Sequence, residues 1–434
     1  MYSVIQTTLK SIAFLVEPLA VGTNLGLFYF FIMLLSGRLL PSRGGIFPGL
    51  QLLGLDARSI RRSWSSFRYG KWDLSLLLNR WQFYLESQNL WTPYIYGGYR
   101  PVSVDTTAFF RPKLKGHKGK HYKSQVGKAL KAVIFGLIVR VGQTGDERIP
   151  VIRDIVRSSP DDVSYKPLLK RLLSRVHEDL LPDEMAIFDA GFHLKDLKTA
   201  TVYQYVLRLA RNFTARRNVL PEYKGKGRKP AYGEVVRPLK RTYKGKTIDA
   251  TPPDRLERWE YDGMSFKAEI WENLVMNNQK AADDTFGFDV YAIYDPRYKT
   301  PWLLACPILL KSQNIWQLYH ARWPIEKVPL SAKEMIGANR QFVSAPESVQ
   351  RLPELALFAG SILSYLAASA KPIPTGFWDR KPKATPGRLR RMLTSIIFPN
   401  SFELPERIRK KESKTGHLKK GIKAHRRTKT QKAA

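Results

Sequence analysis

The sequence contains a single cysteine among 434 residues. One cysteine excludes an intramolecular disulfide framework and any zinc site that is built from several cysteines. Cys306 ends the apolar run Trp302–Cys306, where a buried and unreactive thiol is expected. We therefore expect the protein to work in a reducing, cytosolic compartment.

Long uninterrupted hydrophobic runs are scarce as well. The apolar run at residues 25–35 spans 11 residues, and the apolar stretch before it is broken by Glu17, Pro18 and Asn24. A membrane-spanning helix needs about 20 apolar residues, so the run predicts a buried helix and no membrane association. The N-terminus also lacks the basic region and small-residue cleavage site that are typical of a signal peptide.

Acidic residues are few compared with basic ones. The chain has 37 Asp and Glu against 72 Lys and Arg, which gives a formal net charge of +35. A field of that sign attracts polyanions, and nucleic acid is the commonest of them. Charge alone leaves open a basic ribosome-associated or membrane-surface protein. The hydrophobic content of 44% indicates a folded chain, and its length predicts several domains or one core with a large insertion.

Residues 1–95 have the pattern of a helical domain. Candidate buried helices come first, and a basic helix follows at residues 57–67 with Arg58, Arg61 and Arg62. A compact helical module with a basic face is typical of a DNA-binding domain. A purely structural helical cap is the alternative that this pattern leaves open.

Residues 96–210 alternate strand-like and helical runs. Strands are predicted at residues 99–104, 132–142, 148–157, 185–188 and 203–210, and helices at residues 165–181 and 194–199. The order of three strands, helix, strand, helix and strand is that of an α/β ribonuclease-H-like core of the retroviral-integrase type. In that core, acidic residues lie at the ends of the first and fourth strands.

The remaining chain divides into three parts. Residues 211–310 are predicted to be a basic, β-rich insertion, and residues 311–400 the C-terminal helical part of the core. Residues 401–434 form a basic tail for which we expect disorder. From residue 407 onward that tail has 12 Lys and Arg against one acid, Glu412, so non-specific attraction to phosphates is expected.

Three acidic residues stand where such a core would place its active site. Asp105 and Asp189 each follow a predicted strand, and Glu326 lies in the late helical region. Phosphodiester hydrolysis and transfer can use two divalent ions held by carboxylates from separate elements, and such oxygen ligands suit Mg²⁺ or Mn²⁺. An Asp after a strand is also a common turn or cap residue, and Asp183 and Glu184 precede the strand that leads to Asp189.

Glu326 has distinctive neighbours. Tyr319, Arg322, Glu326 and Lys333 fall at offsets of 0, 3, 7 and 14 residues. At about 100° per residue these positions lie within roughly 60° of one another on one α-helix. A carboxylate that holds a metal beside cations that grip phosphates explains the pattern, and a solvated, salt-bridged face is the alternative. Pro329 should kink or break the helix before Lys333.

The spacing of these four residues resembles the Tyr-Arg-Glu-Lys signature of bacterial insertion-sequence transposases of the IS-four type. Residues 104–107, around Asp105, and residues 188–192, around Asp189, are similar to the first and second Asp motifs of that family. The resemblance covers roughly residues 95–370.

The resemblance implies a DDE transposase with a cut-and-paste mechanism. It implies that Asp105, Asp189 and Glu326 hold two Mg²⁺ or Mn²⁺ ions, while Tyr319, Arg322 and Lys333 contact the phosphates of the element end. Trp302 is a candidate for stacking on a flipped base, although a strand tryptophan is more often part of the core.

The same resemblance implies the partners of the protein. They are double-stranded DNA, as terminal inverted repeats and target, and a second copy of the chain on that DNA. The place of action would be the nucleoid in the bacterial cytoplasm. A ribonuclease-H-like endonuclease and a catalytically silent, domesticated DNA-binding protein remain as alternatives.

Overall fold

A computed structural model describes residues 2–223, 225, 227–281, 286–398 and 408. The fold is mixed α/β, with one large mixed sheet that carries helices on both faces. The α-helices are α1 (Tyr2–Val16), α2 (Thr23–Leu35), α3 (Ile46–Gln51), α4 (Ala57–Tyr69), α5 (Leu74–Gln88), α6 (Lys166–Asp179), α7 (Leu194–Thr199), α8 (Ser312–His320), α9 (Lys327–Leu330), α10 (Pro346–Ala368) and α11 (Pro386–Leu393).

The strands of the sheet fall into two consecutive groups along the chain. The first group is β1 (Thr92–Pro93), β2 (Arg100–Phe110), β3 (Lys120–Lys123), β4 (Lys128–Thr144), β5 (Glu147–Arg157), β6 (Glu184–Phe188) and β7 (Tyr205–Arg208). The second group is β8 (Ala215–Arg217), β9 (Val235–Val236), β10 (Arg241–Tyr243), β11 (Lys246–Ile248), β12 (Arg255–Tyr261), β13 (Met264–Met276), β14 (Phe288–Tyr294) and β15 (Trp302–Cys306).

The first group forms the half of the sheet that carries the candidate site. Strand β4 lies between β5 and β2 with antiparallel pairing, whereas β2, β6 and β7 run parallel. Strand β15 pairs antiparallel with β7, and β14 and β13 follow it. The inserted strands therefore extend the same sheet, apart from the small separate hairpin of β10 and β11.

Helices cover the two faces of the sheet with different cores. Leu172 of α6 packs against Gly136 of β4, where a side chain in place of the glycine hydrogen would overlap it. On the opposite face, α10 packs with the N-terminal helices against β4 and β5. Helix α2 is buried along nearly its whole length, which confirms the buried helix predicted at residues 25–35. Among the described residues, no helix is long and apolar enough to cross a membrane.

Most of the predicted core elements are confirmed, and one boundary is wrong. The strands expected at residues 132–142, 148–157, 185–188 and 203–210 and the helices at 165–181 and 194–199 are present within a few residues. The first strand does not end before Asp105. Strand β2 continues to Phe110, because residues 105–110 pair one by one with β4. The disorder expected for residues 401–434 falls outside the described residues, except for Ile408, which is buried.

The crossing of α2 and α4 depends on a residue without a side chain. A Cβ at Gly26 would overlap the Cβ of Ser66 at 2.5 Å and lie 3.0 Å from the carbonyl oxygen of Arg62. Ser63 also donates a hydrogen bond of 2.8 Å to the carbonyl oxygen of Gly26. The two helix backbones therefore approach each other too closely for a larger residue.

We expect Gly26→Ala to destabilise the protein. Overpacking costs about 1–3 kcal/mol, and the better helix propensity of alanine returns about 1 kcal/mol of it. Urea unfolding should therefore show a lower free energy of unfolding. Gly287→Ala is the control, because its Cβ would meet its nearest atom, the carbonyl oxygen of Leu274, at 3.9 Å. Equal stability of both variants would contradict the close approach.

Candidate active site

The parallel register of β2 and β6 brings two acidic residues together. Val104 pairs with Phe188, so the next residue on each strand, Asp105 and Asp189, follows at the same level of the sheet. Asp189 starts the turn after β6, where its Oδ1 accepts a hydrogen bond of 2.9 Å from the backbone N–H of Gly191. Two carboxylates from separate strands thus lie side by side at this end of the parallel pair.

The Asp105 carboxyl is in an environment that disfavours its negative charge. Burial is the largest cause and the neighbouring Asp189 the next, and together they raise the pKa of Asp105 to about 6. Attraction by Arg322 and a hydrogen bond from the Thr106 N–H at 2.7 Å oppose that rise only in part. The site therefore has an excess of negative charge that a cation would relieve.

Arg322 links Asp105 to the third acidic residue. Its guanidinium is buried and lies 3.2 Å from Asp105 Oδ2 and 3.2 Å from Glu326 Oε1. The side chain of Glu326 is 64% exposed, so it lies at the open side of this group. The arginine comes directly before the 3-10 turn Trp323–Glu326, which brings Glu326 back toward it. Acidic residues from two distant parts of the sequence thus contact one arginine, and Asp189 adjoins the first of them.

Tyr319 and Trp302 are buried beneath this group. Tyr319 has no exposed surface, its hydroxyl lies 3.5 Å from Arg208 Nη1, and its ring meets that of Trp302 at 5.2 Å. Trp302 is 3% exposed, whereas Trp323, which packs on it at 6.0 Å, is 38% exposed. The indole that solvent reaches beside Arg322 is therefore that of Trp323.

Lys333 reaches the same strand as Asp105. Its Nζ donates a hydrogen bond of 2.9 Å to the Oγ1 of Thr107, and it lies 5.3 Å from the centre of the Phe109 ring. Thr107 and Asp105 are two residues apart and project from the same face of β2. The ammonium is thus placed along the strand from the carboxylates.

The predicted single helical face is wrong, although its residues do come together. Helix α8 ends at His320, and a 3-10 turn, the short helix α9 and a π-helical turn at Ser331–Met335 follow. Pro324 and Pro329 lie within these segments and help to explain the changes, because proline removes a backbone donor. Arg322 and Lys333 therefore reach β2 from separate segments and not from one stripe, whereas Tyr319 lies against Arg208 and Trp302.

The three acidic residues have the chemistry of a magnesium site but not its assembled geometry. Within the part of the chain that the structure describes, no three His, Cys, Asp or Glu side chains are grouped closely enough to hold a metal ion. Asp105 and Asp189 supply the hard oxygen donors that Mg²⁺ and Mn²⁺ prefer, and their mutual repulsion fits a cation between them. Glu326 instead pairs with Arg322.

Several residues near the site were not identified from the sequence. Arg208 contacts Tyr319, and Tyr165 donates a hydrogen bond of 3.1 Å to the carbonyl oxygen of Gly191. The pKa of Tyr165 is raised by burial and then by Asp189. No local motif marks either residue. A lysine-rich hairpin beside Lys333 was also missed, and its signal is the lack of any acid between Asp105 and Asp146.

No family model matches the chain, and no curated protein matches it significantly. The candidate site therefore rests on the residues and contacts described above.

We expect the metal-free protein to gain stability when Asp105 loses its charge. The pKa of Asp105 is raised from its usual 3.8 to about 6. Below about pH 4 the carboxyl is protonated in both the folded and the unfolded protein, so it does not change the free energy of unfolding. As pH rises through about 6 the carboxyl must ionise in the folded protein, which lowers the free energy of unfolding. Asp105→Asn should raise the free energy of unfolding by up to about 3 kcal/mol above pH 7, and by little near pH 4. Urea unfolding in EDTA across that range measures the difference.

Asp183→Asn is the matched control at the opposite end of β6. The pKa of Asp183 is lowered, chiefly by its hydrogen bond with Arg100, so its removal should not stabilise the protein at neutral pH. A stability difference for Asp105→Asn that stays the same from pH 4 to pH 8 would show that Asp105 is not held in a charge-disfavouring environment.

Proposed function

We propose that the protein is a DDE transposase, which cleaves the ends of an insertion sequence and transfers the freed 3′-OH strands into target DNA. The observation that carries this proposal is that Arg322 contacts both Asp105 and Glu326, while Asp189 lies beside Asp105 on the neighbouring strand. The three acids come from distant parts of the sequence. Their convergence supports a common chemical role.

The arrangement of the core supports the same proposal. Along the chain, β2, β4, β5, α6, β6, α7 and β7 follow the order expected for a ribonuclease-H-like core. Asp105 belongs to the first of these strands, and Asp189 follows the fourth. Acids at these two positions are what that core requires, so we propose that the half of the sheet formed by these strands is of that type.

Asp105, Asp189 and Glu326 are the residues that would hold divalent cations. Two bound Mg²⁺ or Mn²⁺ ions would supply activation of the attacking oxygen and stabilisation of the leaving oxygen. The protein's own contribution is a pair of carboxylates held side by side by the sheet. A nearby cation favours the ionised form of Asp105 and so offsets its raised pKa at neutral pH.

The cations around the carboxylates suit a phosphate-bearing substrate. Arg322 stays protonated, and a guanidinium has five donors in a rigid fork that matches phosphate oxygens. Lys333 adds an ammonium on the same face of β2. Tyr319 is buried against Arg208, so we propose that it positions that arginine and does not touch DNA. The exposed Trp323, and not Trp302, is the indole available for contact with the substrate.

Transposition requires two element ends in one complex, so the proposed state on DNA is a homodimer. The high positive charge of the chain favours association with DNA of any sequence, in keeping with action at the nucleoid. Terminal inverted repeats would be bound in addition to that general attraction.

Separate Asp105→Asn, Asp189→Asn and Glu326→Gln substitutions test the proposed chemistry. The substrate is a plasmid that carries the DNA flanking the gene on both sides, incubated with Mg²⁺. Primer extension measures cleaved ends, and amplification across new junctions measures joined strands. Each substitution should lower both by more than about 100-fold, because loss of even an outer-shell metal partner costs about 10–100-fold.

Asp183→Asn and Glu334→Gln are the controls for these substitutions. Asp183 precedes the same strand that Asp189 follows, and Glu334 comes eight residues after Glu326 and accepts a hydrogen bond of 2.7 Å from Asn339. Both should retain cleavage and joining. Cleavage that survives any one of the three site substitutions would refute the role of that residue. Cleaved ends without joined strands would identify an endonuclease, and binding without either product a silent DNA-binding protein.

A further inference from the structure

A two-stranded arm extends from the sheet next to the candidate site. Strand β4 pairs with β2 from Arg140 to Ala132, and its first residues, Lys128–Lys131, pair with β3 instead. A 3-10 turn at Ser124–Val126 and Gly127, whose φ is +65°, join the two strands of the arm. We call β3, this turn and residues 128–131 the lysine arm.

The lysine arm lies in a long segment of the sequence that contains no acidic residue. No Asp or Glu occurs between Asp105 and Asp146. Residues 111–131 alone contain eight basic residues, which are Arg111, Lys113, Lys115, Lys118, Lys120, Lys123, Lys128 and Lys131. Lys118 forms an ion pair of 3.0 Å with Asp161, but both side chains are largely exposed, so this pair offsets little of the charge.

The pairing within the arm places like charges opposite each other. Lys120 pairs with Lys131, and Lys123 pairs with Lys128. Like charges directly opposite on neighbouring strands are destabilising, so a folded arm with two such pairs favours a polyanion that would relieve the repulsion. Neighbouring residues of a strand point to opposite faces, and the two pairs are an odd number of residues apart. One pair therefore lies on each face of the arm.

Cations on both faces distinguish between possible partners. A flat anionic surface, such as a lipid bilayer, would meet one face of the arm and leave the other pair unrelieved. The major groove of DNA is about 12 Å wide and admits a two-stranded β-ribbon, with phosphates along both sides. Duplex DNA is therefore the polyanion that fits the charge distribution.

One face of the arm packs against Phe110, at the end of the strand that carries Asp105. Lys123 lies 5.2 Å from the centre of the Phe110 ring, and the ring of His121 lies 6.2 Å from it. Lys333 is close enough to lower the pKa of His121, after burial as the larger cause. The positive charge of the arm thus continues that of Lys333 and Arg322, away from the carboxylates.

The length of β4 sets how far the arm can reach. Leu137 pairs with Asp105, and Lys128 starts the strand nine residues earlier. At about 3.3 Å per residue the strand spans at most about 30 Å over these residues. At about 3.4 Å per base pair this distance corresponds to about nine base pairs of duplex DNA.

We propose that the lysine arm binds the phosphates of duplex DNA on one side of the cleavage position, about nine base pairs away from it. The location relative to a cleavage position rests on the proposed function, whereas the binding of duplex DNA by the arm does not. The arm acts without reading sequence, since lysine contacts to phosphates position DNA and do not specify bases.

The first test replaces three arm lysines, Lys120, Lys123 and Lys128, by glutamine. With a labelled 60-base-pair duplex of arbitrary sequence, the triple variant should bind at least about tenfold more weakly near 0.1 M salt. The slope of log affinity against log salt should fall by about three, one for each lost phosphate contact. The same lysines replaced by arginine should bind as the unaltered protein does, because the charge is kept.

Lys10→Gln, Lys170→Gln and Lys280→Gln together form the matched control. These lysines are exposed on α1, on α6 and after β13, so the control loses the same charge without losing a cluster. It should keep most of the affinity and salt slope. An equal loss in the control, or no loss in the arm variant, would overturn the proposal. Binding to vesicles of phosphatidylserine and phosphatidylcholine is measured as well. If the arm variant lost more affinity for these vesicles than for duplex DNA, the proposal would be overturned in favour of a membrane surface.

The second test locates the arm on DNA and does not need the triple variant to fold. Cys306 is buried, so a Val126→Cys variant offers one accessible thiol at the tip of the arm for an iron chelate that cuts nearby DNA. Cuts at about 9–11 base pairs from the Mg²⁺-dependent cleavage position support the proposal. Cuts at that position itself, or none, refute it. Chelate cuts without any Mg²⁺-dependent cleavage would retain the arm as a DNA contact and refute the proposed function instead.

Discussion

The parallel pairing of β2 with β6 is the constraint on which the candidate site depends. It sets Val104 opposite Phe188 and so forces the carboxylates of Asp105 and Asp189 into neighbouring positions. Both strands are buried between helical layers, and a shift of one residue would turn the apolar side chains of a strand to the wrong face. The hydrophobic core therefore holds two like charges together, at a cost that appears in the raised pKa of Asp105.

Sequence patterns predicted the strand before Asp189 better than the one that contains Asp105. Strand β6 is a short, fully buried apolar run, so its end is visible in the sequence. Strand β2 carries Asp105, Thr106 and Thr107 in its middle. A run of polar residues after an apolar run predicts the end of a strand. The chain stays extended because residues 105–110 pair with β4. This pairing joins distant parts of the sequence, so the local sequence does not predict it.

Around Glu326, the third acidic residue, the predicted residues come near the site although the predicted backbone conformation is wrong. The offsets among Tyr319, Arg322, Glu326 and Lys333 assumed one α-helix, yet the chain passes through 3-10, α and π turns. Arg322 and Lys333 still reach β2, because the 3-10 turn tightens and the π turn widens the winding between them. Spacing alone therefore indicated the right residues but the wrong geometry. It also gave no sign that Arg322 pairs with two of the carboxylates.

Strand β6 has an acid near each end, and their surroundings separate a structural carboxylate from a candidate functional one. Glu184, at the start of the strand, is fully buried and lies 2.8 Å from Arg140 and 2.5 Å from Arg153. Removing a partner from such a group leaves a buried charge, so its role is to hold β4, β5 and β6 together.

At the other end of β6, Asp189 adjoins Asp105, whose attraction to Arg322 does not offset burial and the second negative charge. The protein's own cations leave this carboxylate pair under-compensated, and Glu326 lies at its open side. We therefore expect the pair to favour a further positive charge. The contrast between the two ends arises from partner geometry and not from residue type. Arginines neutralise the buried carboxylate of Glu184 but only part of the negative charge at Asp105 and Asp189. For this reason we expect cation-dependent chemistry at the Asp105 end of β6.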